Sequence, residues 1–345
     1  MRLRGPGAVL AIAIIVVLAV GAVGADGAHA GAGASARVAA AGTPTACRQV
    51  PSGSVHDLTP IKGRTPVLLV HGFSGLPSDF SRSRDGVASM VATLEKVPGV
   101  ATATFDYSNY ALRWVTDQHI GPALAAAIVC LAKQSGHRVV IVGHSMGGLA
   151  VKYAQAQTVA GTDVASVIDR IVTIGTPYEG SQLLGIEGSA VAPALKTLLN
   201  GARDVCGGKT PKRPTRDVCD LLGAEATPAV RGLTPDSADL TALPPFDPHL
   251  IVHTDAGNIS LVISLFGLEQ SFSVGDILVS VGSATAGASK GESPVVVNCR
   301  SKVSDIAKVI DDSQCSHGQL LGNRRIIGDV TTQVREAVHD SGTLS

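Results

Sequence analysis

The stretch Arg138-Val-Val-Ile-Val-Gly-His-Ser-Met-Gly-Gly-Leu149 constrains this 345-residue chain more than any other. Its β-branched run, Val139 to Val142, reads as a buried strand. The helix-forming run Leu149 to Gln157 reads as a helix that begins at about Met146. Between them stands G-x-S-x-G, written Gly143-His144-Ser145-Met146-Gly147. That spacing at a strand-to-helix turn places the serine on a strained elbow, with its hydroxyl clear of the sheet. A side chain at either glycine would crowd a neighbouring strand or helix. The helix N-terminus then lies under the serine, where its free amides favour negative charge. The motif alone is common; the strand before it and the helix after it give it force. The plain alternative is an ordinary serine in a glycine-rich turn.

Further strands and helices follow in alternation. Pro66 to Val70 is an apolar strand that runs into His71-Gly72-Phe73, and Val100 to Phe105 is the next. Pro122 to Gln134 is an alanine-rich helix with proline near its start, where helices tolerate it. Ile168 to Ile174 is a strand ending at Gly175-Thr176, and Leu250 to His253 resumes the pattern. Val295 to Asn298 is the last strand, and Ile326 to Val338 the closing helix. Such alternation predicts a mostly parallel sheet covered on both faces. Ligands of such sheets bind beyond the carboxyl ends of the strands, where His71-Gly72, Ser145 and Gly175-Thr176 all fall. Residues 181 to about 245 break the alternation and read as a cap or lid insertion. Within it Val191, Leu195, Leu198 and Leu199 form an apolar stripe at helical spacing, which fits a mobile lid or a fixed helix equally. Ile259 to Leu268 is another apolar stretch, too short to span a bilayer, which reads as core or as the lining of an acyl pocket, core being favoured.

Composition narrows the class. An apolar content of 45% supports a sizeable core, and 28 basic against 28 acidic residues point to neither nucleic acid nor an anionic surface as partner. Arg2 and Arg4 precede an apolar run from Ala8 to about Val23, followed by the small-x-small site Ala28-His29-Ala30. This predicts a signal peptide over residues 1–30 and a secreted protein, with a retained membrane anchor as the alternative. Residues 31 to 45 read as a flexible leader, and 46–345 as the folded domain. Export makes six cysteines readable as disulfides. The local loops suggest Cys206 with Cys219 and Cys299 with Cys315, leaving Cys47 with Cys130 unless Cys130 is a buried free thiol. No Cys/His spacing resembles a zinc site, so no metal or other cofactor is expected.

A serine hydroxyl needs a base, and the base an orienting acid. In a strand–serine–helix arrangement of this kind the order is Ser, Asp, His. His317 sits in a loop after the last strand; His339 falls on the closing helix, where a solvated histidine is the default. His317 is therefore the candidate base. For the acid, Asp276 and Asp255 both stand between the elbow and the histidine. The oxyanion of a tetrahedral intermediate calls for two amides, assigned to Met146, which follows the serine, and Phe73, in the loop after the first strand. His71 and His144 read as structural. Phe105, Tyr107, Tyr110 and Trp114 gather four of the chain's eleven aromatics, for packing or as the wall of an acyl pocket.

His71-Gly-Phe73, Gly143-His-Ser-Met-Gly147, Gly175-Thr-Pro-Tyr-Glu-Gly180, Gly275-Asp-Ile-Leu-Val-Ser280 and Ser316-His317 together resemble secreted bacterial lipases and esterases of the α/β-hydrolase fold. The match runs from about Pro66 to the C-terminus. In that family a Gly-Asp-Gly-hydrophobic-Val segment commonly carries the acid, which favours Asp276, although Ile277 replaces the inner glycine. Some relatives hold a structural calcium near the acid and base; no dedicated acidic cluster is visible here, and none is carried over. The resemblance implies an α/β-hydrolase domain acting on acyl esters or lipids, with transient contact to a lipid interface. Hydrolysis, acyl transfer through the same acyl-enzyme, and a non-catalytic surface protein are the three readings; an intact Ser/Asp/His set argues against the last.

Overall fold

The computed structural model describes residues 54–57, 59–184, 206, 213–224, 227–265, 268–302 and 306–340. The expected signal peptide and leader, Cys47 and the stripe from Val191 to Leu199 lie outside these residues. Among the described residues no helix is long and apolar enough to cross a membrane.

The core is one eight-stranded sheet in the order β1-β3-β2-β4-β7-β8-β10, with β9 paired to β8. Its strands are β1 (Ser54–Asp57), β2 (Thr65–Val70), β3 (Val100–Asp106), β4 (Val139–His144), β7 (Ile168–Ile174), β8 (Ile251–Leu265), β9 (Leu268–Ser273) and β10 (Val295–Lys302). Two short strands, β5 (Thr158–Val159) and β6 (Thr162–Asp163), form a hairpin apart from it. The ladders from β3 through β10 are parallel; β1 and β9 run antiparallel to their neighbours. Strands β2 and β4 are buried at every residue, because helices cover both faces. The helix Gly121–Ser135 packs on the helix Met146–Ala154, and Met90–Leu94 packs on the closing helix Arg324–Asp340.

The order of the strands creates the crevice. From β2 the chain goes first to β3 on one side, then crosses to β4 on the other. The carboxyl ends of β2 and β4 therefore stand at the point where successive connections diverge, which is where open α/β sheets bind ligands. Val70 of β2 pairs with Gly143 of β4 there, so the loop from His71 and the elbow at Ser145 leave the sheet side by side.

Two expectations change. Ile251–His253 and Ile259–Leu265 are not separate stretches but belong to one 15-residue strand, β8, while Leu268 opens β9. Asp255, Gly257 and Asn258 look like turn residues, yet each is held in the ladder with β10. A side chain at 257 would drive a Cβ into the carbonyl of Cys315, so glycine at that point permits close packing rather than a bend. Asp255 thus lies inside a strand and not in the loop after one. Cys130 is disulfide-bonded and not a free thiol. The four clustered aromatics pack: Phe105, Tyr107 and Trp114 are buried, and Trp114 lies over Gly232 of the insertion. Of that insertion, the described helices are Arg213–Gly223, Pro228–Leu233 and Ala238–Thr241.

Candidate active site

Ser145 sits between β4 and the helix Met146–Ala154 with φ 55° and ψ −129°, a conformation non-glycine residues rarely adopt. Such a residue costs about 1–3 kcal/mol. The fully buried run Val139–Val142 outweighs it, since burying one such side chain contributes about 1.5–3 kcal/mol. The glycines of the motif are there for space. A Cβ at Gly143 would lie 2.8 Å from the Cα of Gly148, and one at Gly147 would meet the carbonyls of Val70 and His71.

His317 opens a short 3-10 turn, His317–Gly322, and is almost completely buried. Its Nε2 lies 2.8 Å from Oγ of Ser145, and its Nδ1 lies 2.7 Å from Oδ2 of Asp276. The Asp276 carboxylate is buried, and its Oδ1 accepts the Val279 N–H at 2.7 Å. The backbone repeats the pairing: the His317 N–H donates to the Asp276 carbonyl at 2.9 Å. The Asp276 and His317 loops are therefore joined by main chain as well as side chain. Gly175 makes room beneath them, because a Cβ there would stand 3.0 Å from Oδ2 of Asp276 and 3.3 Å from Cε1 of His317. Ile277 adopts φ 86°. The turn keeps the backbone that glycine favours and forces a β-branched residue into it. Buried among apolar neighbours, the Ile277 side chain offsets that strain and Asp276 stays in place.

The structure thus brings Ser145, His317 and Asp276 together and leaves the other candidates apart. His339 is exposed on the closing helix beside Asp340. Asp255 is fully buried, with its carboxylate 3.9 Å from Nε2 of His253. Burial and then the neighbouring Asp329 push the Asp255 carboxyl well above the usual carboxylate range.

Phe73 and Met146 flank the serine. Met146 opens its helix, so its N–H has no partner within that helix. The turn after β2 is closed by the Gly75 N–H donating to the Gly72 carbonyl at 3.1 Å, which bypasses the Phe73 amide. That loop passes close to the elbow: a Cβ on Gly72 would lie 2.7 Å from the Ser145 Cβ. His71 is pinned away from the reacting atoms. Its Nε2 accepts the Tyr107 N–H at 3.1 Å, its Nδ1 faces the Gly72 carbonyl at 3.0 Å, and its ring stacks on Tyr107 at 4.1 Å. His144 lies nearer, with Nε2 3.3 Å from the His317 carbonyl and ring centroids 4.9 Å apart. Burial first, then the charge of His317, hold its pKa well below the ordinary histidine value.

The cleft over Ser145 is lined chiefly by apolar side chains, among them Phe73, Pro177, Leu221, Leu233, Leu278 and Leu321. Leu221 and Leu233 come from the insertion, two residues that the sequence pattern had not singled out. None of the four clustered aromatics lines it. Arg84 also reaches the cleft and donates to the Gln319 side chain at 2.5 Å. Disulfides join Cys206 to Cys219 and Cys299 to Cys315, the latter pair with Cα atoms 5.9 Å apart. Cys315 stands two residues before His317, so β10 and the histidine loop are covalently tied.

No curated protein matches the sequence. Among solved structures, the mature form of a Bacillus licheniformis lipase aligns with TM-score 0.47 at 18% identity, covering 82% of this chain and 97% of that one. EstA from Clostridium botulinum aligns with TM-score 0.40 at 14% identity, covering 79% and 89%. Aspergillus fumigatus lipase B gives TM-score 0.43 at 15% identity, covering 75% of this chain and 50% of that one. The model of the alpha/beta hydrolase family matches residues 67–281, from β2 through the elbow to the segment after Asp276. With that match over more than half of its length, and a sheet order and elbow of the same design, the chain belongs to the alpha/beta hydrolase family.

Proposed function

We propose that the protein is an exported serine carboxylester hydrolase, a lipase or esterase. The observation that carries this is the hydrogen-bond chain from Ser145 through His317 to Asp276, set at the mouth of an apolar cleft. Ser145 Oγ attacks the ester carbonyl carbon while His317 Nε2 takes its proton. Asp276 holds the imidazole in the right tautomer and stabilises its cation. The Phe73 and Met146 amides receive the oxyanion, an electrostatic contribution of about 3–4 kcal/mol for each donor. Collapse of the tetrahedral intermediate expels the alcohol, which takes the proton from His317, and leaves an acyl-enzyme. Water, deprotonated by His317, then releases the acid. The apolar lining favours an aliphatic acyl group, because aliphatic carbon leaving water gains about 0.8 kcal/mol per methylene.

Export is the second half of the proposal. It rests on the basic, apolar and small-residue order of residues 1–30 and on disulfides that persist in oxidising compartments. The insertion contributes Leu221 and Leu233 to the cleft, as a cap over the acyl group would. The test is a panel of esters of increasing acyl length with purified protein, together with a fluorophosphonate probe. Turnover that grows with acyl length and labelling confined to Ser145 are expected. Labelling of Ser145→Ala, or turnover by it, would overturn the mechanism. Adding an acceptor alcohol and finding ester rather than acid would shift the reading to acyl transfer.

A further inference from the structure

A second buried histidine–carboxylate group lies behind the first. His253 and Asp255 are alternate residues of β8, so their side chains leave the same face of the sheet. Asp329 comes down onto that face from the closing helix. One donor atom from each of the three residues lies within 4.8 Å of the others.

The polar atoms are close but not bonded. His253 Nε2 is 2.9 Å from Asp329 Oδ2, yet neither atom finds a hydrogen-bond partner in workable geometry. Asp255 is 0% exposed, and neither of its carboxylate oxygens has a partner. A buried carboxylate without a donor is costly, and two facing each other are costlier. The other nitrogen of His253 is occupied: Nδ1 lies 2.9 Å from Oε2 of Glu292. A carboxylate on Nδ1 keeps a proton there, so that a cation displacing the proton on Nε2 meets its lone pair facing the aspartates, as in histidines that bind metals.

From this geometry we infer a divalent-cation site of the zinc class, formed by His253 Nε2 and the carboxylates of Asp255 and Asp329, with Glu292 orienting the imidazole. Zinc takes nitrogen and carboxylate oxygen at about 2.0–2.2 Å in a tetrahedron, which sets neighbouring donors about 3.3 Å apart. The observed 2.9 Å and 3.9 Å from Nε2 to the two aspartates straddle that value. Small side-chain rotations suffice to close the site. The second Asp255 oxygen or a water fills the fourth position. An imidazole donor and a three-residue set suit zinc better than calcium, which takes six to eight oxygens. Two of the ligands lie in β8, whose 15 residues end short of the acid turn, and the third follows the histidine loop. A bound cation therefore staples β8 to the closing helix behind the proposed active site.

The experiment uses the purified chain, stripped with a chelator and titrated with Zn²⁺ against a chromophoric competitor. One equivalent per chain is expected, with a melting temperature that rises with free Zn²⁺. Co²⁺ in its place should give the intense visible bands of a four-coordinate ion. Asp329→Asn and His253→Gln should bind Zn²⁺ at least about 100-fold more weakly, and Glu292→Gln about 10- to 100-fold more weakly. Glu292 is partly exposed, so its variant carries the test should the buried substitutions fail to fold. No stoichiometric uptake by the wild type would overturn the proposal. So would uptake by the folded Asp329→Asn or Glu292→Gln variant equal to that of wild type, which would place the metal on other members of the ten histidines. Preference for Ca²⁺ over Zn²⁺ would overturn it as well.

Discussion

Two histidine–carboxylate groups lie within the same part of this fold, and they differ in how their oxygens are satisfied. In the group at the cleft, Asp276 has a donor on each oxygen: the Val279 amide on one and His317 on the other. In the group behind it, Asp255 has none, and Asp329 leaves an oxygen facing a histidine it does not bond. Asp276 and Asp255 are both buried, so burial alone does not separate them. A carboxylate with two donors is a stable anion that orients what it touches. A carboxylate with no donor must be neutralised, by a proton or by a metal ion. The first arrangement suits a group that must keep its charge while a neighbour changes protonation. The second suits a group that waits for a cation.

The largest expected effect lies in the first group. Asp276→Asn should lower turnover by about 10⁴-fold, through the wrong imidazole tautomer and the lost stabilisation of its cation. Asp255→Asn should change turnover by less than about tenfold, because it makes no contact with His317. Steady-state kinetics on both variants decide between them, and the reverse ranking would break the contrast. His317→Ala should abolish turnover while His339→Ala leaves it near normal.

Next in size is the covalent tie. The Cys299–Cys315 bridge has a sequence separation of 16. Closing a loop of about 15 residues is worth about 3 kcal/mol in the chain-entropy model. The double variant Cys299→Ser with Cys315→Ser should lose about that much in denaturant unfolding. It should also lose turnover, since His317 stands two residues from the bridge and catalytic geometry tolerates little looseness. Lost stability with unchanged kcat would show that the backbone bond from His317 to Asp276 suffices to hold the base.

A smaller effect sharpens the second group. In chelated buffer Asp255→Asn should leave stability within about 1 kcal/mol of wild type, because it replaces a buried carboxyl without donors by a neutral isostere. The same variant should lose the thermal response to Zn²⁺. A large loss of stability in chelated buffer would mean that the carboxyl has a partner of its own in the protein.

The smallest concerns pH. The pKa of His144 is depressed in the fold, by burial first and by His317 second. The unfolded chain therefore binds a proton there that the folded chain refuses. The associated stability is present above the ordinary value of 6.5 and is lost as pH falls from there toward the folded pKa. His144→Gln should flatten that acid limb in melting temperatures measured between about pH 7 and 5. An unchanged limb would assign it to other groups.

Much of this was legible in the residues. The elbow at Ser145, the strands around it and the candidacy of His317 follow from local patterns, because the period of apolar residues and the glycine spacing act over a few positions. So did the two short disulfide loops. The acid was not decided locally: Asp255 and Asp276 both precede the histidine, and Ile277 hides the glycine pattern. Tertiary structure brings Asp276, and not Asp255, to Nδ1 of His317, because proximity depends on where β8 and its hairpin carry each carboxylate. That residues 181 to about 245 cover the edge of the site was readable as a cap or lid; that Leu221 and Leu233 are the side chains lining the cleft was not, until the chain folded back. The cluster of His253, Asp255 and Asp329 left no motif at all. Two members share one face of a strand by simple alternation, but the third arrives on a helix at the far end of the chain. Local order fixes what each segment becomes; the contacts between distant segments decide which polar atoms share a buried space, and with them the chemistry.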